Sequence, residues 1–130
     1  MFSIDAFAQL QFLVGRWRGE GADGTPFYEE YDHPEPAVFQ SHRYADDSFA
    51  ERTDGSTIAF KDGDVTSQWG EFTWRASSIT KDSAVFEPVS APSRFEWRRV
   101  DESTLEAEQR WMAEGKEQQH TIRLTRVIAI

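Results

Sequence analysis

Polar side chains interrupt the apolar face of several short alternating segments, where they could contact a ligand or act as acids and bases. Residues two apart in a β-strand share a face, so Glu29 would lie beside Phe27 and Tyr31. The same spacing puts other polar residues on apolar faces: Gln40 and His42 with Val38 and Tyr44, Arg99 with Trp97, Gln109 with Leu105 and Trp111, and His120 with Ile122 and Leu124. A filled core would be apolar there, because an unpaired buried polar group costs about 1–3 kcal/mol.

The pattern therefore predicts a lined cavity, since ligand sites combine apolar walls with a few convergent polar groups. The alternative is that these residues lie near barrel mouths and touch water, or pair with one another, as Glu29 could with Arg99. The predicted ligand-binding residues are Trp17, Phe27, Glu29, His42, Tyr44, Trp74, Trp97, Arg99, Gln109, Trp111 and His120. The ligand they suit is small and largely apolar, with Gln109, Arg99 and His120 orienting its polar end.

Catalytic and metal motifs are absent from the sequence. There is no Gly-x-Ser-x-Gly elbow, no His-Glu-x-x-His and no calcium loop, and the three histidines are scattered. No catalytic residue and no cofactor is therefore predicted, and the function favoured is binding rather than catalysis. The enzymatic alternative is an isomerase or hydratase of a lipophilic substrate, with His120 or Glu29 as general base.

Charge and cysteine content exclude several partners. The 130 residues contain 23 acidic and 14 basic side chains, a net charge of −9, which disfavours nucleic acid and anionic membranes. The chain has no cysteine, which excludes disulfides, thiolate nucleophiles and cysteine-ligated metals. Its longest early apolar stretch, residues 12–14, is too short for a membrane span, so the sequence predicts a cytoplasmic protein.

The elements that would position these residues are a short helix and many short strands in a single domain, 1–130. Residues 3–14 have helical spacing of Ile4, Phe7, Leu10 and Val14 after an N-capping Ser3. From residue 16 to 128 the period is two, and turn signals such as Asp54-Gly55 and Asp62-Gly63 recur at short intervals.

Eight to ten strands joined by hairpins are more than an open sheet can carry without exposed edges, so the sheet should close into a barrel or split into a sandwich. The uniformly short connections favour the barrel, because a Greek-key sandwich needs a long return connection. The sequence thus predicts an all-β fold, a closed antiparallel up-and-down barrel with a short N-terminal helix. An unpaired edge at the end of a short barrel would invite a symmetric homodimer.

Two stretches of the chain resemble a family. Residues 12–21 (FLVGRWRGEG) and 26–30 (PFYEE) look like the opening of the nitrobindin-like barrels, which belong to the calycin group with the lipocalins. Residues 111–116, the following Gln118-Gln119-His120 and the final Arg126-Val127 are similar to the last hairpin of that family. Uncharacterised lipocalin-like bacterial domains share the same opening and closing strands.

The resemblance implies a calycin barrel and, as an alternative function, binding of ferric haem b. In nitrobindin-like barrels a histidine of the final strand is the axial haem ligand, and His120 occupies the matching place, so it is the metal ligand expected if haem binds. The middle of the chain departs from the family. Residues 48–55 (SFAERTDG) stand where those barrels carry His-x-Glu-x-Gly.

Overall fold

Ten antiparallel strands close into a barrel in which each strand pairs with its neighbours in chain order and the last pairs with the first. The computed structural model describes residues 1–21 and 23–127. The strands are β1 Gly15–Glu20, β2 Pro26–Glu35, β3 Val38–Tyr44, β4 Arg52–Lys61, β5 Asp64–Trp69, β6 Phe72–Ile79, β7 Ser83–Ser90, β8 Arg94–Asp101, β9 Thr104–Ala113 and β10 Lys116–Arg126. The predicted closed up-and-down barrel with a short N-terminal helix is confirmed.

Closure is made where β1 meets β10. Trp17 lies opposite Arg126, and Gly19 lies opposite Leu124. This pairing uses backbone groups that an open sheet would leave at its edges. Homodimerisation stays a prediction. The barrel begins at Gly15 and β10 ends at Arg126, and residue 128, where the strands were expected to end, lies outside the described residues.

The N-terminal segment, which we call the plug, is helical over residues 4–13, against the predicted 3–14. An α-helix, α1, covers Ile4–Ala8 and passes into a 3₁₀ helix, Gln9–Leu13. Ser3 caps α1 as predicted, since its hydroxyl accepts a hydrogen bond from the amide of Ala6 at 3.0 Å. Val14 is already extended. The helical segment therefore ends at Leu13, one residue before the predicted end.

The plug fills one end of the barrel with apolar side chains. Phe7, Leu10 and Leu13 are fully buried, and the Phe7 ring lies 5.1 Å from the Phe39 ring. Trp17 is fully buried too, and its indole nitrogen donates a hydrogen bond to the Leu13 carbonyl oxygen at 2.8 Å. The helices are short, and none in the described part of the chain could cross a membrane.

Strand direction defines the opposite end of the barrel. Since β1 leaves the plug, the odd-numbered strands run away from it and the even-numbered strands return. The loops that follow β1, β3, β5, β7 and β9 therefore lie at the end away from the plug, which we call the mouth.

One predicted turn is wrong, because Asp54-Gly55 lies within β4. A Cβ atom at position 55 would come within 2.4 Å of the Ser41 carbonyl oxygen. Glycine is needed at this position for the close approach of β3 and β4, not for a change of chain direction.

A carboxylate on the outer wall is held by three neighbours. Glu108 accepts hydrogen bonds from Arg110, from Arg98 at 3.3 Å and from Gln119 at 2.7 Å. Its hydrogen bond with Arg110, assisted by Arg98, holds its pKa below the ordinary glutamate value despite burial. Glu108 therefore stabilises the fold in the ionised form.

We expect this stabilisation to be complete above the unfolded-state pKa of about 4.3 and to be lost as the pH falls through the lower folded-state pKa. Urea unfolding at a series of pH values should show a steeper acid loss of stability for the native chain than for Glu108→Gln. Glu102→Gln, in an exposed turn, is the control and should keep the native slope. Equal slopes for the native chain and Glu108→Gln would contradict the assignment.

Candidate ligand-binding cavity

A cavity of about 350 Å³ occupies the barrel between the plug and the mouth. Its wall is mostly aromatic and aliphatic, with a small set of polar residues on one side. The lining residues are Phe27, Glu29, Tyr31, Ser41, Arg43, Asp54, Gly55, Ser56, Ile58, Ser67, Trp69, Phe72, Trp74, Pro92, Ser93, Phe95, Trp97, Ala107, Gln109, Ile122 and Leu124. Several of these, including Trp69, Asp54 and Gln109, are exposed, so the cavity reaches solvent.

The aromatic side of the wall comes from β5, β6 and β8. The Trp74 ring packs edge-on against Phe95 at 5.2 Å between centroids, and Phe72 lies 5.9 Å from Trp69. The indole nitrogen of Trp74 donates a hydrogen bond to the Ser93 carbonyl oxygen at 2.7 Å. A ring with its polar atom satisfied presents its apolar body to the cavity.

The polar side of the wall comes from β2, β3 and β4. Arg43 Nη2 donates a hydrogen bond to Glu29 Oε1 at 2.6 Å, and the guanidinium carbon of Arg43 lies 4.5 Å from the centre of the Phe27 ring. The Glu29 side chain is 11% exposed and that of Arg43 is 45% exposed. The pair thus joins a buried carboxylate to a cation that reaches water.

A tyrosine and two serines extend this polar side toward the plug. The Ser41 and Ser56 hydroxyl oxygens lie 2.6 Å apart. Tyr31 is buried, and the pKa of its phenol lies well above the ordinary value because burial disfavours the phenolate and Glu29 carries a nearby negative charge. Tyr31 therefore stays a neutral hydroxyl at physiological pH.

Five predicted site residues are brought together by the cavity: Phe27, Glu29, Trp74, Trp97 and Gln109. Trp17, by contrast, packs against the plug from β1 and does not line the cavity. Arg99 lies at the plug end, where its Nη1 is 3.8 Å from Asp82 Oδ1. Glu29 pairs with Arg43, so the pairing with Arg99 that the alternative interpretation suggested does not form.

His42 and Tyr44 face outward, contrary to prediction. Glu29 lies opposite Arg43 in the β2–β3 pairing, and residues opposite each other share a face, so the alternate residues of β3 must point away from the cavity. His42 Nε2 lies 3.4 Å from Asp32 Oδ2. Tyr44 is nevertheless buried, because the loop after β3 places Phe49 against its ring at 5.2 Å.

Trp111 and His120 are not part of the cavity wall. His120 lies opposite Gln109 in the β9–β10 pairing, and its buried Nε2 has no hydrogen-bond partner among residues 1–21 and 23–127. Because residues opposite each other share a face, His120 lies on the inward side of β10, next to the lining residue Gln109. Within the same residues, no group of three or more metal-binding side chains occurs. Haem binding stays a prediction of the resemblance.

Sequence reasoning missed Arg43 and Asp54, and it missed most of the aromatic wall. The signal for Arg43 was present, since Phe39 is the largest apolar residue of β3 and shares a face with Ser41 and Arg43. Asp54 was hidden by its assignment to a turn. Phe95 shares the face of Trp97 on β8, and both line the cavity.

The polar pair makes a testable contribution to stability. Arg43→Met leaves the buried Glu29 without its cation, and we expect the free energy of unfolding to fall by about 1–3 kcal/mol. The double variant Glu29→Gln with Arg43→Met removes the unpaired charge and should recover part of that loss. Urea unfolding of both variants measures the difference. Equal stabilities would show that the pair is not coupled.

A ten-stranded up-and-down barrel, plugged at one end and hollow toward the other, is the class of structure that these features define. No family model and no curated protein matches the chain. Among solved structures, the chain is similar to a redesigned β-barrel at 12% sequence identity, with a TM-score of 0.42 and coverage of 91% of this chain and 94% of that one.

Proposed function

We propose that the protein binds a small, largely apolar molecule in the barrel cavity without transforming it. The observation that carries the proposal is the cavity itself, which has a volume of about 350 Å³. Ligand pockets span about 300–1,000 Å³ and combine apolar walls with few polar groups. A barrel built only for stability would be packed with side chains throughout, since protein interiors contain few voids larger than a water molecule.

The wall indicates how such a ligand would be held. Its apolar body would contact Trp74, Phe95 and Trp97, and its polar end would face Glu29 and Arg43. The resemblance of residues 12–21 and of the closing strands to the calycin group supports the same use of the barrel interior.

Titration with N-phenyl-1-naphthylamine, a neutral apolar fluorophore, tests the proposal. We expect saturable energy transfer from the wall tryptophans Trp74 and Trp97 to one probe per chain, because the bound probe would lie against their rings. Mass spectrometry of an organic extract of the purified protein should then identify any molecule that co-purifies. If protein freed of any co-purified molecule shows no saturable energy transfer from tryptophan to the probe, the proposal is rejected.

Hemin titration tests the alternative function, binding of haem with His120 as the axial ligand. A Soret shift that disappears in His120→Ala would favour haem over an organic ligand. Catalysis by Glu29 or His120 stays a prediction, and Glu29 is already engaged by Arg43.

A further inference from the structure

We propose that the cavity selects ligands with a cationic polar end, meaning lipophilic amines or ammonium compounds, over carboxylates of the same shape. This inference rests on the proposed function, because only a cavity that admits a small molecule can discriminate by charge. It concerns the chemical class of the ligand and follows from the charges and rings of the wall.

The charged residues of the wall are one arginine and two carboxylates. Arg43 is already compensated by Glu29 at 2.6 Å and by the face of the Phe27 ring at 4.5 Å. A ligand carboxylate would have to displace Glu29 from Arg43 and would leave the buried Glu29 without a partner, which is costly. The cation that normally receives a carboxylate is therefore occupied.

Asp54 is the carboxylate left for a ligand. Its Oδ2 accepts a hydrogen bond from the Trp69 indole nitrogen at 2.5 Å, and its Oδ1 accepts one from the Gly55 amide at 2.8 Å. Asp54 lies opposite Arg43 in the β3–β4 pairing, but Arg43 bonds Glu29, and no salt bridge joins Asp54 to a cation in the described part of the chain. A carboxylate has about four acceptor positions, so these bonds orient Asp54 and leave it able to bind an ammonium group.

Aromatic rings lie beside this carboxylate. Trp69 is itself bound to Asp54, and Phe72 and Trp74 continue the same side of the wall, with 6.3 Å between the last two ring centres. The faces of such rings attract cations by about 0.5–2 kcal/mol. Arg94, at the mouth end of β8, is paired with Glu87 at 3.1 Å, and the chain's net charge of −9 favours the approach of cations.

Three naphthalene derivatives of nearly equal size separate charge from shape: 1-naphthylmethylammonium, 1-naphthalenemethanol and 1-naphthoate. Their dissociation constants are measured at pH 7 by quenching of tryptophan fluorescence at physiological ionic strength. We expect the cation to bind at least about tenfold tighter than the anion, with the alcohol between them. Binding of the alcohol with no advantage for the cation would overturn this inference and leave the proposed function standing. Binding of none of the three would overturn both.

Two variants locate the selectivity in the wall. Asp54→Asn keeps an acceptor for Trp69 and Glu29→Gln keeps an acceptor for Arg43, and each should reduce the cation's advantage several-fold while leaving the alcohol's affinity near the native value. Glu71→Gln removes the same charge from the exposed turn before β6 and should leave the advantage unchanged. An equal loss in Glu71→Gln would show that the overall field, not the cavity wall, selects the cation, and would overturn the assignment.

Discussion

Ala107→Phe is expected to weaken binding of N-phenyl-1-naphthylamine at least about tenfold, a change of about 1.4 kcal/mol in binding free energy. Ala107 lines the cavity from β9, opposite Trp97 on one neighbouring strand and Ile122 on the other. A phenyl ring at this position would occupy the space that the probe needs. The measurement is the same energy-transfer titration.

Thr121→Phe is the matched control for this substitution. Thr121 is exposed on β10, one residue from Ile122, and alternation places it on the outer face. The Thr121→Phe substitution adds a ring of the same size outside the barrel, so the affinity for the probe should stay at the native value. Thermal unfolding of both variants verifies that they fold. Native affinity in a folded Ala107→Phe would place the probe somewhere other than the cavity.

Trp17→Ala is expected to lower the free energy of unfolding by about 3–5 kcal/mol. Trp17 is fully buried, its indole nitrogen bonds the Leu13 carbonyl at 2.8 Å, and the guanidinium of Arg126 lies 4.3 Å from its ring. Alanine would open a void beneath the plug and leave the Leu13 oxygen unpaired. This is a large share of the about 5–15 kcal/mol that stabilises most domains.

Urea unfolding measures this loss of stability, and two further variants serve as comparisons. Trp17→Phe retains much of the ring and loses the hydrogen bond, so its stability should fall between the native and alanine proteins. Trp69→Ala removes the same side chain at the mouth, where it is 43% exposed, and should cost much less. If the two alanine variants lost equal stability, the plug would not be the stabilising end of the barrel.

The inner faces of several strands could be predicted from the sequence because the alternation there is unambiguous. In β8, Phe95 and Trp97 alternate with charged residues, and in β9, Leu105 alternates with Glu106 and Glu108. The structure confirms both faces. The N-cap at Ser3 was equally legible, because a hydroxyl before an amphipathic segment has a local function that depends on nearby residues only.

Which face of β3 points into the barrel could not be predicted in the same way. Its two faces both carry polar and aromatic residues, so Tyr44 suggested the wrong inner face, and burial of Tyr44 depends on Phe49 from a loop. Strand faces of mixed polarity are decided by the partner strands. Here the alignment of Glu29 with Arg43 settles the orientation.

The helix and the period-two segments can be predicted from the sequence because they depend on neighbours within a few residues, and the short connections between strands then favour a closed antiparallel barrel. Which inward-facing residues meet depends on tertiary packing. Depth along the barrel depends on the register of all ten strands and on how far the plug enters. Trp17 and Trp97 both point inward, yet Trp17 packs against the plug and Trp97 lines the cavity.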